Sequence, residues 1–207
     1  KNCKCPPLKD ATYVKYLGII IDQNLKWPHH ITYLCKRLRK TIYKFVNLRC
    51  YLPIRVLRNV YLAIFQSIIQ YGIIVWGGST KINLSPLNLL QKRIIKICLK
   101  KRFDYPTKLI YSEFNVFNIE QIYKYTLLKF YHKNRNKFVL QTHNYDTRRN
   151  INSTLVEPKC LTSAGLKHSI NFGPRLYNAL TKLHPELLTC NPLTYNKKIR
   201  NVLISSI

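Results

Sequence analysis

Hydrophobic residues recur at helical spacing along most of this chain. After Pro28, Ile31, Leu34, Cys35, Leu38, Ile42 and Phe45 fall on one helical face, with Lys36, Arg37, Lys40 and Lys44 mostly opposite. Pro28 suits the first turn of this helix, and Pro53 ends it or opens the next. A second helix is predicted from about Ile54 to Tyr71, with Leu57, Val60, Tyr61, Ile64, Phe65 and Ile68 forming a wide apolar face. Gly72 begins its end and Gly77-Gly78 mark a turn. Ser85-Pro86 predicts the start of a third helix carrying Leu87, Leu90, Ile94, Ile97 and Cys98 and finishing in Lys100-Lys101-Arg102. Ahead of the helices, Val14 to Ile21 is rich in β-branched residues and stops at Asp22-Gln23-Asn24, which predicts one short strand.

The second half is less regular. Pro106 to Phe114 predicts a short helix, and Ile119 to Lys133 a longer one with Ile122, Tyr123, Leu127 and Phe130 on one face. Residues 134–172, with many Asn, Thr, Ser, Arg and Lys, read as loop with room for short strands. Gly173-Pro174 predicts the start of a helix through Leu180, and residues 192–206 a terminal one. The expected fold class is mainly α, in three parts. Residues 1–13 are a leader, 14–103 a strand plus three-helix bundle, and 104–207 a smaller helical and irregular region.

Charge adds the first functional constraint. Against 35 Lys+Arg stand 8 Asp+Glu, a formal net charge of +27. Such an excess repels itself unless an anion meets it, and nucleic acid is the usual anion, with an acidic membrane surface second. AT-rich coding could inflate Lys, but it does not explain only four Glu. The absence of Met, with Lys at position 1, suggests an internal or C-terminal piece of a longer product. No signal-peptide pattern is visible. Val60 to Trp76, interrupted by Gln66 and Gln70, reads as a buried helix rather than a membrane span. Seven scattered Cys fit free thiols better than a disulfide framework, so an intracellular, non-secreted setting is expected.

Several short motifs, in order, carry a resemblance. They are Leu17-Gly18, Trp27 ahead of the first helix, Tyr71-Gly72 with Val75-Trp76-Gly77, and Leu90-Gln91-Lys92. His143-Asn144-Tyr145-Asp146-Thr147-Arg148 and Gly173-Pro174-Arg175-Leu176-Tyr177-Asn178-Ala179-Leu180 follow. Each alone is weak, but their shared order over roughly residues 14–206 resembles the segment downstream of the palm in jockey-like reverse transcriptases of non-LTR retrotransposons. Tyr177 stands where that family has Trp, and Thr181 where it has Pro. The resemblance implies a helical thumb that grips an RNA/DNA or DNA template–primer duplex, with Leu17 and Gly18 near the primer terminus. It also implies a polymerase palm, supplied in cis, as partner.

The palm's own chemistry is missing from the sequence. Such polymerases hold two divalent metals, about 3.5–4 Å apart, on clustered carboxylates. Here Asp10, Asp22, Asp104 and Asp146 are scattered, with no aromatic-Ala-Asp-Asp box. The chain alone is expected to be inactive, with no catalytic residue, metal ligand or cofactor of its own. Mg would accompany only the palm, and no small-molecule substrate is expected. Cys3-Lys4-Cys5 with His29 or His30 matches no common zinc pattern. His184-Pro185-Glu186 lacks the Cys-x-x-Cys of a zinc deaminase. Tyr16–Phe45 is also similar to a helical region at alkB-homologue-eight N-termini. An iron oxygenase needs two His and a carboxylate, and no His-x-Asp occurs. A non-catalytic relic or protein-interaction module therefore remains the alternative.

The expected nucleic-acid contacts are Leu17, Gly18, Lys36, Arg37, Arg39, Lys40, Lys44, Arg148 and Arg149. The competing reading makes the helix cations a solvated face, Gly18 an ordinary strand glycine and the arginine pair plain loop. Trp27 and Trp76 read as core anchors rather than base-stacking platforms.

Overall fold

The computed structural model describes residues 11–138 and 155–205. It opens with a two-stranded antiparallel hairpin, β1 (Tyr13–Tyr16) and β2 (Ile19–Asp22), in register Tyr16 to Ile19 and Tyr13 to Asp22. The helices follow: α1 (Pro28–Tyr51), α2 (Ile54–Val60), α3 (Ser67–Gln70), α4 (Ile73–Trp76), α5 (Lys81–Cys98), α6 (Thr107–Phe114) and α7 (Ile119–Lys133). After the undescribed stretch come α8 (Ser163–Lys167), α9 (Ser169–Leu183) and α10 (Pro192–Ser205). The protein is mainly α, with a small N-terminal sheet.

The single strand expected over Val14–Ile21 is two strands. Leu17 and Gly18 form the turn between them, with φ of 45° and 82°. Two positive φ values make the primed turn that matches the twist of paired strands. Leu is a poor residue there, which is why the sequence did not announce it.

Asp22 organises the link from hairpin to helix. Its carboxylate accepts the backbone N–H of Lys26 at 3.0 Å and of Trp27 at 2.6 Å. This bend holds Leu25 and Trp27 at positive φ and delivers the Trp27 ring to the core, 5% exposed. Pro28 then starts α1 at a position that needs no N–H. The Lys26 carbonyl is fixed from the other side by Ser79 Oγ and Asn83 Nδ2.

The α1 helix packs along α5, burying Leu34, Leu38 and Phe45 with Leu87, Ile94 and Cys98 in one hydrophobic cluster. Between α2 and α3 the helix continues through a π-helical segment, Tyr61–Gln66, which turns Tyr61 and Phe65 fully inward. Tyr61 Oη accepts from Gln91 Nε2 at 2.8 Å, and the same amide donates to the Phe117 carbonyl at 2.8 Å. Gln91 is thus a satisfied buried amide tying α5 to the π segment and the α6–α7 connection.

Two helix starts differ from expectation for the same reason. The α5 helix begins at Lys81, capped by Thr80, so Pro86 lies inside it; α9 begins at Ser169, so Pro174 lies inside it. A proline removes the bond to the carbonyl four residues back, here at Ile82 and Ile170. Both are well exposed, at 85% and 60%, so water can take the lost partner's place. Gly173 is required for packing: a Cβ there would sit 2.0 Å from the Tyr131 ring. The third helix also ends earlier than expected, at Cys98, with Lys100 at a positive φ of 55°. Helices α1, α6, α7 and α10 fall close to their expected bounds.

Candidate nucleic-acid interface

The first helices carry cations without acids. From Gln23 to Phe103 the sequence has no Asp or Glu. Lys36, Arg37, Arg39, Lys40 and Lys44 are all exposed on α1, and among the described residues none is paired with a carboxylate. Lys36, Lys40 and Lys44 are spaced four residues apart, a row of about 12 Å. It lies opposite the buried Leu34, Leu38 and Phe45, with Arg37 and Arg39 on its flanks. A solvated helix face normally mixes signs; this one has nothing to pair with internally.

The hairpin reaches the N-terminal end of that face. Tyr13 stacks on His29 with ring centroids 4.8 Å apart, and Lys15 Nζ lies 5.1 Å over the Tyr33 ring. Tyr33 is one helical turn before Lys36 and Arg37. The tip is held elsewhere: Tyr71 Oη donates to the Leu17 carbonyl at 2.6 Å, and a Cβ on Gly18 would lie 3.7 Å from the Tyr71 ring. Gly18 is therefore a turn glycine with a positive φ, not an ordinary strand glycine. Leu17 is 72% exposed.

Two titratable groups hold this corner. Burial works to raise the Asp22 pKa, but the N–H groups of Lys26, Trp27, Asn24 and Asp22 itself together bring it below the usual carboxylate value. His30 is 1% exposed, accepts the Ile20 N–H on Nδ1 at 3.3 Å and meets the Trp76 ring edge-on. Burial pushes its pKa down to about 4, so it is neutral near pH 7.

Asp22 spends its carboxylate on backbone N–H groups, and among the described residues no three His, Cys, Asp or Glu come together. Asp10, Asp146, Cys3, Cys5, Arg148 and Arg149 lie outside the described residues, as does the His143–Arg148 motif. Cys35, Cys50, Cys98, Cys160 and Cys190 are free thiols. Among the described residues no helix is long and apolar enough to cross a membrane.

The Gly173–Leu180 motif is architectural. Tyr177 is 1% exposed, with Oη 3.4 Å from His132 Nδ1. Asn178 takes the Leu155 N–H on Oδ1 and gives Nδ2 to the Leu155 carbonyl, both at 2.9 Å, pinning an extended residue to α9. Thr181 is buried and donates back to the Tyr177 carbonyl at 3.0 Å, so the helix runs on where a proline would interrupt it.

Over 117 residues, 55% of its length, the chain is 26% identical to the "Probable RNA-directed DNA polymerase from transposon BS" of Drosophila melanogaster. The chain is thus similar to a segment of a transposon RNA-directed DNA polymerase. It covers 13% of that fly protein's length. No family model and no solved structure matches the chain.

A basic groove away from the α1 face escaped the sequence reading. A groove of about 800 Å³ between α5, α6, α7 and α8 is lined by Lys81, Lys92, Lys108, Lys124 and Lys167, and α1 contributes nothing to it. Its single acidic lining residue, Glu120, is paired with Lys124 at 2.8 Å. Periodicity along one helix could not show it, because the lysines come from four elements.

Proposed function

We propose that this chain is the thumb and downstream segment of a jockey-like non-LTR retrotransposon reverse transcriptase, and that its α1 face grips the template–primer duplex. The observation that carries this reading is the row Lys36, Lys40 and Lys44, flanked by Arg37 and Arg39, exposed and without a carboxylate partner. The transposon polymerase similarity and the order of the short motifs support it. Phosphate contacts of this kind position a duplex without reading its sequence. The polymerase palm, with its divalent metals, is supplied in cis, and Leu17-Gly18 lies toward the primer end.

The test is binding of the purified chain to an RNA/DNA hybrid duplex, followed by fluorescence anisotropy at rising salt. Affinity falls steeply between about 50 and 200 mM salt if phosphates are the target. No binding at low salt, or affinity flat across that range, overturns the reading.

One observation favours a second reading, docking on protein. Tyr13, Val14 and Tyr16 of β1 are 53%, 55% and 64% exposed, an apolar strand open to a partner. Light scattering that finds a soluble monomer at high concentration argues against this reading.

A further inference from the structure

We propose that Arg58 and Arg200, converging on the Asn115 carbonyl, form a phosphate-binding site that joins α2 to α10. Arg58 donates through Nε at 3.1 Å and Nη2 at 3.0 Å to the Asn115 oxygen, and Arg200 Nη2 approaches the same oxygen at 3.3 Å. Three N–H groups thus crowd one carbonyl that has two lone pairs. Arg200 Nη2 also reaches the Asn115 side-chain oxygen, at 3.4 Å. The remaining donors of both forks have no acceptor of comparable strength in the contacts described. Neither guanidinium is paired with a carboxylate among the described residues. Glu113, two residues before Asn115, is committed to Lys101 at 3.2 Å and to Tyr105 Oη.

The arrangement is built rather than incidental. Asn115 ends α6 at a φ of 50° and is exposed, leaving its carbonyl open to both arginines. Arg200 lies 5.6 Å over the Phe117 ring, which orients its plane. Burial first, and then the Arg200 charge, hold Arg58 below the usual guanidinium range, yet such a group stays charged at neutral pH. Two like charges and a surplus of forked donors call for an anion rich in acceptors. A tetrahedral phosphate, with three oxygens free to accept, meets that need in a way chloride cannot.

The phosphate can come from a nucleic-acid backbone or from a small phosphorylated species, and the test separates the two. It does not rest on duplex gripping by α1, because its first arm uses inorganic phosphate alone. The melting temperature of the full chain is measured in phosphate and in chloride of equal ionic strength. The expected result is an extra rise in phosphate, lost in Arg58→Gln and Arg200→Gln and kept in the charge-matched control Lys182→Gln, an exposed residue on α9. Arg58→Lys and Arg200→Lys keep the charge but not the planar fork, so they also lose most of the rise. Circular dichroism of each variant confirms that it is folded.

In the second arm the salt dependence of hybrid-duplex binding is compared between wild type and Arg200→Gln. A slope smaller by about one assigns the phosphate to nucleic acid. An unchanged slope, with the phosphate effect lost, assigns it to a small phosphorylated ligand. No extra rise in the wild type, or the same rise in both folded Gln variants, overturns the site.

Discussion

Tyr71 Oη donates to the carbonyl of Leu17 at 2.6 Å, across 54 residues of sequence. The bond fixes the tip of the hairpin to the junction of α3 and α4. It also explains how a leucine is held at a left-handed position. Leu17→Asn should relieve the strain and stabilise the protein by about 1 kcal/mol, because Asn-Gly is the favoured pair for this turn. Tyr71→Phe keeps the ring and removes the donor, and should cost about 0.5–1.5 kcal/mol. Urea unfolding midpoints measure both, and a destabilised Leu17→Asn protein would contradict the turn described.

Removing the carboxylate of Asp22 leaves two backbone N–H groups without their acceptor. Asp22→Ala should therefore cost about 2–4 kcal/mol. The Asp22 pKa lies lower in the folded chain than unfolded, so its contribution is full above the ordinary carboxylate value of 3.8 and is lost as pH falls through the folded value. In Asp22→Ala that acid-range loss should shrink, as read from unfolding free energies between about pH 5 and pH 2.

His30 acts at milder acidity. Its folded pKa is about 4 against an ordinary 6.5, so between those values the unfolded chain binds more protons. Stability should fall as pH drops from 6.5 to 4, by at most about 3 kcal/mol. His30→Leu gives up the acceptor for the Ile20 N–H and is less stable at pH 7. It should nevertheless show a flatter profile across that window, and an equally steep one would place the titration elsewhere.

Changing Lys36, Lys40 and Lys44 together to Gln should reduce the salt slope of hybrid-duplex binding by about three, one per lost phosphate contact. The fold should be unaffected or slightly steadier, because like charges are being removed from one face. Anisotropy titrations and thermal melts on the same preparation separate the two effects.

Gly173→Ala drives a Cβ to 2.0 Å from the Tyr131 ring. Overpacking of this kind costs roughly 1–3 kcal/mol, and a drop in melting temperature would show it.

Much of this architecture was legible in the sequence where local chemistry and periodicity agree. The α7 helix starts where Asn118 and Gln121 close a capping box, and its apolar face repeats at helical spacing. The α1 cations are exposed because the same period that buries Leu38 and Phe45 turns Lys36 and Lys40 outward. Local rules misled where long-range contacts decide. Pro86 and Pro174 resembled helix starts, but the turns before them are held by Asn83 donating to the Lys26 carbonyl and by Tyr131 donating to the Ser169 carbonyl. The turn at Leu17 carries no turn-forming side chain, and its anchor lies at Tyr71. Arg58 and Arg200 are brought together by a third residue, Asn115, that no spacing connects to either.

Asp22 is the one acid between residues 11 and 103, and its charge is turned inward on backbone N–H groups. Among the described residues the cations from Lys15 to Lys100 therefore have no carboxylate partner, and their counterions come from solution. Added salt quiets the repulsion among its lysines and arginines and should firm the fold, while the same salt competes for phosphates and loosens any duplex they hold. On the reading proposed above, a bound polyanion would quiet the same repulsion without that competition, so binding and stability would rise together.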